Sequence, residues 1–438
     1  MKKLIYILPL FLICIKANTA NYPANVQNVL QKAGKNRPEL EKVLKHYRND
    51  SLKYKAACFL IGNMDIHTAQ SHYWADSINR EVKFDELSYP NYETAVKSFN
   101  ATAAKTKLHP VPVKVPDVES VTAKYLIRNI DQAFEIRQKP WARNLSFSQF
   151  CDYLLSYRVL NEPHGEWRNS FRKVFSSYTS PLATKNARTV CTVLSDSLRK
   201  WFTNTYNVHQ KNVEPGRLSP QQLLFRRQGM CEDMADWGSY ILRSIGIAST
   251  VDFTPAWATS TGSHFWNVAF SESGTPIPFF MGDDSPNEFY MVREPSKVLR
   301  VTYSNQPSSL AATVGEEEIP EGFLRNRNYI DVTRDYWKVA HLKVALDSVD
   351  LSQKNAYISV FNGLNWRSVW WSRVEEGNAD FSDMSCGVVY LPMYYKNRSL
   401  SPAADPVILR PDSSVQVLHP DVYRLRTVRI EQQDKYLK

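Results

Sequence analysis

The spacing of apolar side chains changes period along this chain, from helical in the first half to alternating in the last third. Over 38–49, Leu40, Val43, Leu44 and Tyr47 share one helical face behind Pro38 and Glu39. Over 53–64, Tyr54, Ala57, Cys58, Leu60 and Ile61 continue the pattern, so 21–116 reads as helical. At its end Pro110, Pro112 and Pro116 prevent a regular helix and predict an extended connector over 108–116, taken as a domain boundary. Helical spacing returns over 121–134 and 146–159. A further helix starts near Cys231, where Met234, Gly238, Ile241 and Ile245 form an apolar stripe and Gly246 is placed to end it in the left-handed conformation.

Strand patterns follow. His264, Trp266, Val268 and Phe270 fall on one face of 262–270. A second run, 277–281, completes a hairpin that closes on Gly282-Asp283-Asp284. From 329 to 422 alternation dominates, with strands predicted at 340–346, 356–361, 368–374 and 387–395. Turn residues at Asn362-Gly363 and Glu376-Gly377-Asn378 make this an expected antiparallel β-sandwich. The expected class is α+β. Its boundaries are a leader 1–20, a helical region 21–118, a mixed domain 119–300 and a β-sandwich domain 301–438. No internal repeat or low-complexity segment is present.

Composition excludes more than it assigns. A chain of 438 residues, 43% hydrophobic and carrying 11 Trp, 23 Tyr and 20 Phe, can bury cores in two or three domains. It is neither collagen-like nor disordered. The formal charge of +10 is spread along the chain without the Lys/Arg run that binds nucleic acid, so no nucleic-acid partner is expected. Lys2 and Lys3, the apolar stretch 4–15 and the small residue Ala20 read as a secretory signal cleaved after Ala20. Lipidation at Cys14 is the rival, disfavoured by Ile13. The stretch is too short to span a bilayer, and no later run of 18 apolar residues exists, so the chain is not expected to cross a membrane. Five cysteines remain, Cys58, Cys151, Cys191, Cys231 and Cys386, an odd number with no CxxC.

Cys231 differs from the other four, which read as small buried hydrophobes. It follows Gly229 and opens a helix, where unpaired N–H groups and the positive end of the dipole favour a thiolate. Glu232 and Asp233 oppose that charge, so a cationic partner is required. His264, at the head of the next strand pattern, is the candidate, and the hairpin end offers Asp283 or Asp284 to orient its ring. The Cys231 backbone N–H is a natural oxyanion donor, and Gln222 or Gln228 could add a side-chain one. His67 and His72 have no acidic partner in register, so no metal site is expected there. The polar segment 157–163 reads equally as cleft lining or as helix capping. Trp266 reads as packing beneath the site. Trp366, Trp370 and Trp371 read as core or interface residues, with sugar stacking the second reading.

The order Gly229-x-Cys231-x-Asp233-x-Ala235, then Leu242-Arg243-Ser244-x-Gly246-Ile247, then His264-x-Trp266-Asn267, then a strand ending in Asp, resembles the transglutaminase-like superfamily. The resemblance covers 228–284. It implies a papain-like α+β core with Cys231 as nucleophile, His264 as base and acid, and Asp283, or alternatively Asp284, as the orienting acid. The stretch 278–283 is longer than the family pattern, and 247–250 has Ile-Ala-Ser-Thr where the family often has Ile-Pro-Ala-Arg. The wider arrangement looks like exported proteins of Gram-negative bacteria, in the periplasm or at the cell surface.

The function expected is an exported cysteine acyl-transfer enzyme that forms a thioester at Cys231 on a peptide or carboxamide carbonyl. Water (a protease or amidase) is favoured to resolve it over an amine (a transglutaminase). The substrate expected is a protein or peptide, glycan-linked ones included, and no cofactor or metal is implied. Two other readings stay open: a non-catalytic surface module that grips glycan or protein through its aromatic C-terminal domain, and an assembly protein whose helical part docks a partner.

Overall fold

The computed structural model describes residues 22–205, 216–347, 353–421 and 423–424. The expected leader 1–20, with Cys14, lies outside them. Three helices, α1 (Ala24–Lys32), α2 (Arg37–His46) and α3 (Ser51–Gly62), open the described chain. Their helical-face residues Leu40, Val43, Leu44, Leu60 and Ile61 are buried as the spacing predicts.

The region 21–116 is not all helical. Strands β1 (Thr68–Ala75), β2 (Glu81–Val82) and β3 (His109–Pro116) form an antiparallel sheet in the order β2-β1-β3, with helix α4 (Tyr92–Thr106) between β2 and β3. The proline-rich stretch is extended as expected, yet it is a strand rather than a connector. Prolines 110, 112 and 116 pair with Trp74, His72 and Thr68, all on one parity. In an antiparallel ladder alternate residues address the same neighbour, so the other parity supplies the N–H groups to β1. The prolines remove donors from the outer edge at 110, 112 and 116, and β3 is an edge strand of its sheet, where such residues are tolerated.

The expected break near 116 is not a break in the core either. One hydrophobic cluster runs from Val26 through Leu126, Trp237 and Val268 to Val332. A buried ion pair crosses the same line: Arg158 donates to Asp117 at 2.5 Å, and the Tyr157 hydroxyl donates to the same carboxylate at 2.7 Å. Glu162 accepts from the N–H groups of Val159 and Leu160, and from the Tyr240 hydroxyl. The polar segment 157–163 is thus internal bracing, not cleft lining.

At the centre lies helix α5 (Cys231–Ile245), ended by Gly246 at φ +102°. The expected stripe understates its burial: every residue but Glu232 is buried. Against it packs a five-stranded antiparallel sheet, β4 (Ser249–Thr254), β5 (His264–Phe270), β6 (Pro276–Phe279), β7 (Leu299–Val301) and β8 (Tyr329–Asp331), in the order β8-β7-β4-β5-β6. Gly238 makes the approach possible, because a Cβ there would fall 2.6 Å from the Met281 Cβ and 2.7 Å from Asn267 Oδ1. Asn267 Nδ2 donates to the Ala235 carbonyl (2.7 Å) and the Ser239 hydroxyl (3.0 Å), tying strand to helix.

The C-terminal strands are β9 (Val339–Ala345), β10 (Asn355–Asn362), β11 (Asn365–Glu375), β12 (Asn378–Ser385), β13 (Val388–Lys396), β14 (Ser399–Pro402), β15 (Val407–Leu409) and β16 (Val415–Val417). They pair as one path, β9-β12-β11-β10-β13-β15-β16, with β14 on β13. The expected sandwich of two sheets is replaced by one antiparallel sheet curled around a single core that holds Leu342, Ile358, Phe381, Tyr390 and Leu409. The Asp347 N–H donates to Ala403 (2.8 Å) and Lys338 Nζ to Pro411 (2.5 Å), which brings the two ends of the sheet together in a near-barrel. The expected turns at 362–363 and 376–378 are where the pattern placed them.

Candidate active site

Cys231 occupies the first turn of α5. Gly229 allows the entry, since a Cβ there would lie 2.7 Å from Asp233 Oδ2. That oxygen instead accepts from the Met230 N–H at 2.9 Å and caps the helix. The first helical bond runs from Met234 N–H to the Met230 carbonyl, so the Cys231 N–H belongs to the first turn, which has no acceptor within the helix.

Cys231 is 3% exposed. The Phe265 backbone N–H points at its sulfur. On the other side the thiol faces Glu232 Oε2 at 3.7 Å. Burial pushes the thiol well above its ordinary range and Glu232 adds to this, while the Phe265 N–H and Arg217 pull the other way. Arg217 holds Glu232 (3.6 Å) and the buried Asp236 (2.8 Å).

The structure therefore brings Cys231 to β5, at the residue next to His264. The His264 ring lies among aromatic side chains, edge-on to Phe280 (centroids 5.1 Å) and near Trp266 (5.8 Å) and Trp257 (6.1 Å). Among the described residues no hydrogen bond reaches the ring. Burial, aided by the nearby Arg293 cation, lowers its pKa to about 4. Both shifts run towards the neutral forms, against the expected thiolate–imidazolium pair.

Asp283 and Asp284 occupy the turn after β6, where Arg199 donates to the Asp283 carbonyl and Ser195 to the Asp284 carbonyl. The charges that act on the Asp283 carboxyl are those of Arg199 and Glu288. Neither carboxylate hydrogen-bonds His264. The β5–β6 register pairs Asn267 with Phe279, and one residue further on it is Phe280 that meets the ring.

Other candidates resolve plainly. Gln222 belongs to the capping box of helix Pro220–Arg226 and donates to Glu86 at 2.6 Å, so it is not available as an oxyanion donor. Gln228 lines a cavity of about 990 Å³ between β1, α4 and that helix. His67 Nε2 bonds the Tyr303 carbonyl at 2.8 Å within the core. Among the described residues no group of three His, Cys, Asp or Glu is placed to hold a metal ion. The five cysteines are buried and unpaired. Trp266 packs beneath the site, its Nε1 donating to the Tyr336 hydroxyl at 3.2 Å. Trp370 lies 4.3 Å from Lys297 Nζ at a core junction, whereas Trp366 lines a cavity. That cavity, about 520 Å³, has Glu232 and Phe265 on one side and residues of the C-terminal sheet on the other.

Residues 183–279 match the family model of the transglutaminase-like superfamily. This segment is a transglutaminase-like domain. The match spans Cys231, His264 and the helix and strands that carry them, and it stops before Asp283. No curated protein matches the chain. No helix among the described residues is long and apolar enough to cross a membrane.

Proposed function

We propose that the chain is a cysteine acyl-transfer enzyme, with Cys231 as nucleophile and His264 as its proton carrier. The observation that supports this best is the pairing of a first-turn thiol with the head of the adjacent strand, at the edge of a cavity that reaches Glu232 and Phe265. In the proposal the sulfur bonds to a peptide or carboxamide carbon as its proton passes to the imidazole. The Cys231 N–H takes the developing oxyanion. The C–N bond then breaks, the amine leaves with the imidazolium proton, and a thioester remains. Water attacks it, gives a proton to His264, and the acid departs as that proton returns to the sulfur. An amine in place of water gives transfer instead of hydrolysis.

Ring orientation in this proposal comes from Phe280, Trp266 and Trp257 rather than from Asp283 or Asp284. Starting from neutral partners, the proton moves to the imidazole as the sulfur bonds to carbon, so charge develops only in the transition state, where the Cys231 N–H meets it. Export follows from the 1–20 leader, and cell fractionation with N-terminal sequencing tests it. The enzymatic test is intact-mass measurement of the protein with peptide amides and peptide thioesters. An acyl adduct on Cys231, absent from Cys231→Ala, is expected, with turnover lowered roughly 10²–10⁴-fold in His264→Ala. Turnover that persists in Cys231→Ala sinks the reading.

A further inference from the structure

The C-terminal sheet contributes directly to the space next to Cys231. The cavity of about 520 Å³ is lined by Glu232 and Phe265, the two residues whose oxygen and N–H face the Cys231 sulfur. Across from them stand Trp366 and Arg367 of β11 and Arg398 of the β13–β14 turn, with Glu321 from the linking segment. A ligand that fills this space and touches its Glu232–Phe265 side is beside the sulfur.

The charges around the cavity are not balanced. Arg367 Nε is fixed on the Asn362 carbonyl at 3.2 Å, which leaves the outer edge of its guanidinium open. Among the described residues neither Arg367 nor Arg398 has an acidic partner. Glu232 is already engaged by Arg217, so Glu321 is the one carboxylate of the cavity with no cation on it among the described residues. Two free guanidinium groups therefore outnumber one free carboxylate. Arg398 also stands where its backbone is unfavourable. The hairpin pairs Lys396 with Ser399, so Asn397 and Arg398 form a two-residue turn with φ of +53° and +61°. Asn and Gly suit such a turn, and an arginine there costs conformational energy.

Resting on the acyl-transfer reading above, we propose that this rim selects the substrate: the acyl donor is an acidic peptide whose carboxylate, flanking the scissile carbonyl, is held by Arg367 and Arg398. Guanidinium groups suit this task because they offer paired N–H donors to a carboxylate. Trp366 beside them gives the stem of the acidic side chain an apolar surface.

The test is calorimetric titration of full-length Cys231→Ala protein with matched short peptide amides that differ only in Glu against Gln, or Asp against Asn, on either side of the central carbonyl. At least one acidic member is expected to bind tenfold or more tightly than its amide twin, with the preference weakening in high salt. In Arg367→Gln/Arg398→Gln on the same background the preference is expected to fall below threefold. Both residues are exposed, so an unchanged melting curve is the control for folding. Equal affinity for the twins, no binding of either, or a preference that survives the double substitution overturns the proposal. Acyl adducts on the wild-type protein are scored separately: their absence counts against the enzyme reading, and the binding preference is judged without them.

Discussion

The Cys231 thiol faces a carboxylate on one side and a backbone N–H on the other, and the balance between them sets how readily it ionises. Burial is the larger influence, and Glu232 at 3.7 Å is the largest that a single substitution can remove. A negative neighbour disfavours thiolate, so Glu232→Gln is expected to move the pH profile of iodoacetamide alkylation at Cys231 towards lower pH. A profile that stays in place or moves upward shows that the carboxylate does not control the sulfur. Local sequence placed Cys231 at a helix start because a glycine, the first turn and a capping acid all lie within five residues. Alternation of apolar residues placed His264 at the head of a strand. What surrounds the ring was not written locally: Asp283 and Asp284 follow the strand in sequence, but Phe280 is what the register and the turn bring to the ring.

At the scale of elements, the contact between α5 and β5 brings Cys231 to the strand headed by His264, and Gly238 is a point of close approach within it. Gly238→Ala places a methyl group 2.6 Å from the Met281 Cβ and 2.7 Å from Asn267 Oδ1. Neither is the free end of a flexible chain, so a cost of about 1–3 kcal/mol is expected in denaturant unfolding, together with slower Cys231 alkylation. Wild-type stability with wild-type reactivity is the contrary outcome. The β1–β3 pair shows why an element can be hidden. Prolines at 110, 112 and 116 look like a linker when read singly, and only pairing with β1 reveals that all three share the parity of the open edge. A long-range partner is information that no local window contains.

His67 links elements far apart in sequence, with Nε2 on the Tyr303 carbonyl and its ring stacked on Tyr303 at 4.3 Å. Burial chiefly, and Arg158 next, lower its pKa to about 4 against a value near 6.5 when unfolded. The unfolded chain binds more protons in that interval. Stability from this group is therefore complete above about pH 6.5 and is lost as pH falls towards 4. His264, also lowered to about 4, acts over the same window. Thermal or urea unfolding from pH 7 to pH 4 is expected to lose up to about 3 kcal/mol less in His67→Gln than in the wild type, once both are referred to their pH 7 values. Parallel pH curves for the two proteins contradict this.

Across the whole molecule, Lys297 joins the five-stranded central sheet to the C-terminal sheet. It is 0% exposed, pairs with Asp331, and donates to the carbonyls of Ser382 (2.8 Å) and Asp383 (2.9 Å). Trp370 covers it and packs against all three core clusters. Lys297→Met leaves a carboxylate and two carbonyls without their donor. A loss of about 3–5 kcal/mol is expected, with proteolytic cleavage appearing first between 332 and 339. A change below 1 kcal/mol shows that the joint does not hold the sheet. If the sheet is a wall of the cleft, this variant also weakens the discrimination assigned to Arg367 and Arg398.

The sequence alone determined what depends on neighbours along the chain: the helix that begins at Cys231 and stops at Gly246, the strand headed by His264, the C-terminal turns, and the family resemblance those motifs carry. Helix starts, caps and tight turns are settled within a few residues by backbone sterics and hydrogen bonds, so their signals are written locally. Tertiary structure alone decided which groups surround the imidazole, that 108–116 is a sheet edge, that the C-terminal strands curl into one sheet, and that Arg367 and Arg398 share a cavity with Glu232 and Phe265. Those outcomes rest on contacts between residues tens to hundreds of positions apart, and their selection by packing leaves no spacing in the sequence to read.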